Sequence, residues 1–365
     1  MTRRHQSTRL IVGAMTGTSL DGIDAALVRV TGHGLTAQAE VLTHVARPLG
    51  PEVNTLRLLA DGKAVTASDI TVARRLLSDR TAAVMLEAAE NHRVDLAAIH
   101  GQTVLHAPPD SWQLIDAVRV ASKLNCPVAS DLRGGDLAAG GSGAPITPLA
   151  DWVLCPGSNS RCIINLGGFC NITWLPAAGS PIDEIRGRDI CPCNHLLDAA
   201  ARSRLDQPFD RDGGIASSSI PNPTLVASII ATIEPLAGDA RSLGSGDECF
   251  DWLDTVQDAD TATLLASIAA GVGTVIGRAA GDAKAILLAG GGAHHRPLCD
   301  AIAKAARVPV GHTSDIGIPI EAREAACMAI LAMLDADGCP STLAAITGRR
   351  SHTLIGMQWC RPMEA

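Results

Sequence analysis

Three turns in this chain put glycines directly after apolar, strand-forming runs: residues 16–24 (TGTSLDGID), 165–171 (NLGGFCN) and 289–294 (AGGGAH). Glycine leaves backbone N–H groups free to converge on an anion, and neighbouring Thr and Ser hydroxyls add donors. Asp21 and Asp24 would lie close to such an anion, where a carboxylate is repelled unless a cation intervenes; the pattern therefore implies Mg²⁺. One such turn is equally an ordinary hairpin turn. Three in one chain point to a bound nucleotide.

Other nucleotide folds are excluded by their signatures. No G-x-x-x-x-G-K-[ST] is present, since the Gly62-Lys63 pair is followed by Ala64. No G-x-G-x-x-G follows a strand and opens a helix, and protein-kinase signatures are missing. Gly271, Gly273 and Gly277 fall inside a helical pattern, where close helix–helix packing explains them.

Further polar residues could carry chemistry. Asp189 lies in GRDICPCN (187–194); alone, an aspartate before a loop reads as a cap or turn residue. Cys191, Cys193 and His195 form a C-x-C-x-H run that lacks the paired spacing of structural zinc sites. Glu321 and Glu324 share a helix face or its first turn, where acidic residues are favoured anyway. His100 and Gln102 follow a strand and could bond a ligand or satisfy the strand end. His294 and His295 read as surface or loop residues.

At 365 residues the chain suits two lobes or one large α/β body. A net charge of −8 argues against nucleic-acid or anionic-membrane partners, which require a basic surface. The apolar run at 10–15 is too short for a signal peptide, and no run of roughly 18 uninterrupted apolar residues predicts a membrane span. The 11 scattered cysteines read as reduced thiols acting as small hydrophobes, implying a cytoplasmic location.

Residues 9–15 and 23–30 predict a hairpin, and 68–91 a helix. Strands are expected at 96–100 and from 127 to 130, with a helix at 118–124 between them. The glycine-rich stretch 133–148 is the expected lobe crossing. The second half repeats the logic: strands at 161–166, 171–175 and 285–289, helices at 261–280, 297–306 and 322–334. The β-prone tail, 351–359, could return to the first sheet. Such alternation gives an α/β fold.

Residues 13–27, GAMTGTSLDGIDAAL, resemble the opening phosphate loop of the anhydro-N-acetylmuramic acid kinases. HGQTVLHAP (100–108), DLRGGDLAAGGSGAPITP (131–148), INLGGFCNIT (164–173), PFDRDGG (208–214) and LLAGGGAHHRPL (287–298) match in the family's order. RSLGSGDECFDWL (241–253) and GIPIEAREAACMA (317–329) align more weakly, and the likeness spans nearly the whole chain. It implies two ribonuclease-H-like lobes of the actin-like ATPase architecture around a central ATP/sugar cleft. The division expected is 1–132 plus 345–365 against 133–344.

The resemblance puts the ATP phosphates on Gly17, Thr18, Ser19, Leu20, Asp21, Gly22, Ile23 and Asp24, with Gly167 and Gly168 as a second phosphate loop. Gly290, Gly291 and Gly292 would lie near the adenosine, and Asp21 would meet Mg²⁺ through the phosphates. Asp189 becomes the general base, and His100, Gln102, Asn194 and Glu324 the sugar contacts. The implied reaction opens the 1,6-anhydro bond and phosphorylates O6 with ATP, in a homodimer. The chain departs from the family's Thr-Gly-Pro-Gly-Asn at Ile190-Cys191-Pro192-Cys193-Asn194. If those glycines need positive φ or close approach to the sugar, cysteine would strain or narrow the pocket. Alternatives are a kinase for another anhydro-sugar such as levoglucosan, an impaired nucleotide-binding regulator, and a redox-sensitive enzyme.

Overall fold

The computed structural model describes residues 7–17, 20, 22–238, 242–244, 246–350 and 356–362. Thr18, Ser19 and Asp21 of the expected ATP loop, with its magnesium contact, lie outside the described residues, as do 351–355 of the tail. The strands are β1 (Thr8–Thr16), β2 (Gly22–Thr31), β3 (Gln38–Pro48), β4 (Leu96–Ile99), β5 (Gln102–Ala107), β6 (Asp110–Leu114), β7 (Val128–Ser130), β8 (Arg161–Leu166), β9 (Phe169–Leu175), β10 (Arg186–Pro192), β11 (Ile286–Ala289), β12 (Val310–His312) and β13 (Gln358–Cys360).

The chain forms two compact units, Met1–Pro156 with Gly317–Ala365, and Gly157–Ile316. In the first unit the sheet order is β13-β7-β4-β1-β2-β3. β1, β2 and β3 pair antiparallel, β4 and β7 join parallel, and the tail strand β13 returns antiparallel to β7. In the second unit the order is β10-β9-β8-β11-β12, again three antiparallel strands followed by two parallel ones. Numbered within each sheet, the second reads 3-2-1-4-5 and the first 3-2-1-4-5-6, the ribonuclease-H-like order with the tail strand added to the first, so the two halves share one topology.

Strand alternation divides the faces of β1. Val12 and Ala14 join the buried cluster with Leu77 and Met85 of the Ala67–Ala89 helix, whose start carries a Thr66/Asp69 capping box. Gly13 faces the opposite side, against the Arg323–Ala336 helix: a Cβ there would run into Ala325 O and lie 2.6 Å from Ala329 N. Arg323 is 1% exposed and pairs with Asp151, Nε donating to Oδ1 at 2.8 Å, which ties this helix to Pro148–Leu154.

In the second unit the Thr261–Ala279 helix packs on Arg296–Ala306 through its glycines. A Cβ on Gly273 would stand 2.6 Å from the Ala301 Cβ, and one on Gly277 2.6 Å from Ile302 O. The packing role expected of these glycines is the observed one. This helix is long and apolar enough to cross a membrane, but most of it is buried in the unit, with Leu264, Leu265, Ile268 and Val272 in the core.

The observed boundaries differ from the division expected. The glycine-rich stretch belongs wholly to the first unit because its polar groups are satisfied there. Asp136 Oδ2 accepts Gly143 N–H at 2.8 Å, and its Oδ1 accepts the hydroxyls of Thr342 and Thr347, each at 2.7 Å. Residues 317–344 belong there too, since the Arg323–Ala336 helix covers β1. Strands β3, β5, β6, β10 and β12 were not foreseen.

Candidate active site

Two groups of residues, one in each unit, contain the described part of the expected site. In the second unit, β8 ends at Leu166 and turns through Gly167 and Gly168 into β9. The first residues of the Asn194–Leu205 helix lock onto this turn: Cys193 N–H donates to Gly168 O at 2.8 Å, and Asn194 N–H to Gly167 O at 3.0 Å. Asn194 Nδ2 donates to Leu166 O at 3.0 Å. Gly290, at φ +80, turns β11 away from Asn165, whose Oδ1 would lie 2.8 Å from a Cβ there. Gly292 backs on Asn194, its absent Cβ 2.6 Å from Oδ1. Asn194 thereby braces both glycine turns. Gly291 is exposed at their outer edge.

Asp189 lies on β10, the edge strand, immediately before a register shift at Asp189/Cys191. A bulge re-aims a side chain and ends regular pairing. The partly exposed Asp189 accepts Leu243 N–H on Oδ2 at 2.9 Å. It is therefore a strand residue, where the sequence alone suggested a cap or turn.

The two cysteines that replace family glycines are fully buried. Neither has positive φ; Cys193 stands at φ −125. Cys191 faces Cys170 across the β9–β10 ladder. Burial holds the thiols of Cys170, Cys191 and Cys193 well above their ordinary range, as protonated, inert groups. The strain considered for this segment is not there. Among the described residues, no three His, Cys, Asp or Glu side chains converge to hold a metal. His195 packs against Gly168 and meets the Phe169 ring edge-on at 4.8 Å.

His294 is exposed, but His295 is buried. It caps the Arg296–Ala306 helix, Leu298 N–H donating to Nδ1 at 3.3 Å, so it is not a surface residue. The matched PFDRDGG segment packs nearby: Asp210 accepts Ile215 and Ala216 N–H, each at 2.9 Å, and Gly213, at φ +68, lies against Pro297.

In the first unit, the β1–β2 turn brings Gly17, Leu20, Gly22, Ile23 and Asp24 together. Leu20, at φ +56, closes the turn with its N–H on Gly17 O at 3.3 Å. Ile23 is core, and Asp24 Oδ1 accepts His44 Nε2 at 2.8 Å from β3. Glu324, at the start of its helix, is partly buried, whereas Glu321 is exposed. Burial raises the Glu324 carboxyl above its ordinary range; Asp24 and Asp151 push the same way while Arg323 and Arg133 oppose.

His100 follows β4 and is 2% exposed. Its Nδ1 donates to Gly101 O at 2.9 Å, and Nε2 accepts Arg133 Nε at 3.0 Å. Burial, reinforced by the Arg133 charge, brings its pKa down to about 3, so the ring is neutral. Gln102 is 1% exposed at the start of β5. Arg133 also donates to Gly143 O at 2.8 Å. Sequence reasoning missed Arg133, although it stands in a motif singled out for its glycines, and it missed His44, the partner of Asp24.

Known proteins resemble the chain along its length. A family model described as anhydro-N-acetylmuramic acid kinase matches residues 9–361. A protein of that name from Salinibacter ruber is 34% identical, covering 96% of each chain. Its namesake from Parasynechococcus marenigrum is 33% identical over 96% of this chain and 99% of its own. One from Bordetella pertussis is 33% identical over 97% of each. Among solved structures, a ROK family glucokinase from Streptomyces griseus is a remote likeness, 17% identical at a TM-score of 0.43 over 88% of this chain and 99% of that one. The chain belongs to the anhydro-N-acetylmuramic acid kinase family.

Proposed function

We propose that this chain is an ATP-dependent kinase that opens the 1,6-anhydro bond of 1,6-anhydro-N-acetylmuramic acid and phosphorylates O6, giving N-acetylmuramic acid 6-phosphate. The carrying observation is the bracing of both second-unit glycine turns by Asn194, in a chain of this family. On the second unit Gly167, Gly168 and Gly290–Gly292 are the nucleotide-binding groups of this reading; on the first unit they are Gly17, Leu20, Gly22, Ile23 and Asp24.

Asp189 acts as general base. It takes a proton from water as the oxygen attacks the anomeric carbon; the C1–O6 bond breaks toward O6, which attacks the γ-phosphorus and releases ADP. The Leu243 N–H on Oδ2 holds the carboxylate in one orientation. Asn194 supports the turns, and Gln102 and Glu324 are the sugar-side groups; His100, with both ring nitrogens engaged, holds Arg133 in place instead of meeting the sugar. Mg²⁺, when bound, neutralises phosphate charge; Asp24 is the described carboxylate of that turn, and its bond to His44 leaves one oxygen for such contact. Because the reaction consumes ATP and the thiols are free, the reading includes a cytoplasmic location. A homodimer belongs to it as well, to be checked by sedimentation.

The test is mass-spectrometric detection of the 6-phosphate from 1,6-anhydro-N-acetylmuramic acid and ATP, with levoglucosan in parallel. Product from the first sugar in preference to the second supports the assignment. Product from levoglucosan alone would move it to the other anhydro-sugar, and ATP binding without any product would indicate a regulator.

A further inference from the structure

Capping its helix does not account for all that His295 does. Leu298 N–H donates to its Nδ1 at 3.3 Å. A backbone N–H can only donate, so Nδ1 is the bare nitrogen and the proton of the neutral ring is on Nε2. Burial pushes the imidazole below the ordinary histidine range, against the opposing charges of Asp210 and Asp212, so the ring is neutral at pH 7. Nε2 lies 3.8 Å from Asp210 Oδ2, beyond hydrogen-bond length, and has no hydrogen-bond partner among the described residues. A Ser or Asp cap would hold the helix start as well, without burying an unsatisfied ring N–H.

What the imidazole adds is bulk at one place. The backbone of Gly213 lies directly against the ring: a Cβ there would stand 2.9 Å from His295 Cε1 and from Nδ1, and 2.6 Å from Pro297 Cδ. Asp210 fixes that same segment, each carboxylate oxygen accepting one backbone N–H. The main chain of His295 meets the glycine turn, its N–H donating to Gly292 O at 3.0 Å. Both Asp210 and His295 are more than nine-tenths buried, at 6% and 7% exposure, so the ring has little room to move. It therefore sets the spacing between the segment 210–216 and the Gly290–Gly292 turn. All of these groups belong to the second unit.

We propose that His295 is a positioning residue for the nucleotide: packed against Gly213 and Asp210, it holds Gly292, and with it the Gly290–Gly292 turn, where the adenosine is received. Asp210 and Gly213 are its backing. Asn194 braces the same turn from the Gly167–Gly168 side, so the turn is held by two side chains that touch no substrate atom. A binding turn keeps its geometry only when the groups behind it are themselves locked by packing. This inference rests on the kinase reading, in which that turn meets the adenosine.

The experiment compares wild type, His295→Asn and His295→Ala in Tm, ATP KM, sugar KM and kcat. Asn keeps an acceptor for Leu298 N–H but is too small to replace the ring against Gly213; Ala loses the cap as well. The Asn variant should therefore melt close to wild type and above Ala, while both variants raise the ATP KM roughly 10-fold and leave sugar KM and kcat within about twofold. If capping were the whole role, the ATP KM would follow Tm and Asn would restore both, which overturns the proposal. An equal rise in both KM values, the mark of general loosening, overturns it too. In wild type, ¹⁵N NMR should show the His295 proton on Nε2, and that resonance should move when ADP is added and stay in place with the sugar alone. An unmoved resonance in a wild type that binds ADP overturns the proposal even if neither variant folds. A wild type that binds no ATP or ADP overturns the kinase reading and this inference with it.

Discussion

Single residues in this chain answer questions that motif matching raises. Cys191 and Cys193 depart from the family's glycines, yet their thiols are buried at ordinary φ, so they act through packing. Restoring Cys191→Gly or Cys193→Gly should leave sugar kcat/KM within about twofold. Stability should fall by about 1–3 kcal/mol through lost packing and added chain entropy, read as a lower Tm. A large gain in kcat/KM would show instead that the thiols obstruct the sugar. His100 gives a pH prediction. Its pKa falls from 6.5 unfolded to about 3 folded, so the unfolded chain binds the extra proton between those values. Its contribution is intact above pH 6.5 and is lost as pH drops toward 3, amounting to roughly 3–5 kcal/mol in all. Urea melts of wild type and His100→Asn across that window should converge as pH falls; parallel curves would contradict the assignment.

Elements were legible where periodicity was strong. The first hairpin, the Ala67–Ala89 helix and the Thr261–Ala279 helix stand within a few residues of their expected positions, because apolar spacing alone specifies a buried face. β10 was missed because its sequence, RGRDICP, carries two arginines, a glycine and a proline, and only an edge strand with a bulge accommodates them. That strand carries Asp189, so the catalytic candidate was found by motif and its local structure was not. β5 and β6 were missed as well; their short polar alternation belongs to a two-stranded sheet with little burial. Close packing between elements is also invisible from one strand's sequence. Gly13 reads as part of a phosphate-loop motif, whereas its position requires hydrogen because the Arg323–Ala336 backbone lies against it. Gly13→Ala should destabilise the first unit by roughly 2–4 kcal/mol or prevent its folding, since backbone there cannot yield cheaply. Thermal melts that match wild type would contradict that packing.

For the molecule as a whole, duplication was foreshadowed by a strand–glycine turn–strand opening in each half, and the sheets confirm it with one strand order used twice. The division was not legible. Glycine density at 133–148 suggests a hinge, but buried side-chain bonds from Asp136 and Arg133 hold that stretch inside the first unit, and such long-range partners leave no local signal. Function is read from the whole chain too, since the family model matches residues 9–361 and not one motif. The most direct measurement compares wild type with Asp189→Asn in ATP-dependent phosphorylation of 1,6-anhydro-N-acetylmuramic acid, with ATP affinity measured alongside. Loss of a general base should lower kcat by roughly 10²–10⁴-fold while ATP still binds. An Asn variant that forms the 6-phosphate at the wild-type rate would contradict the account.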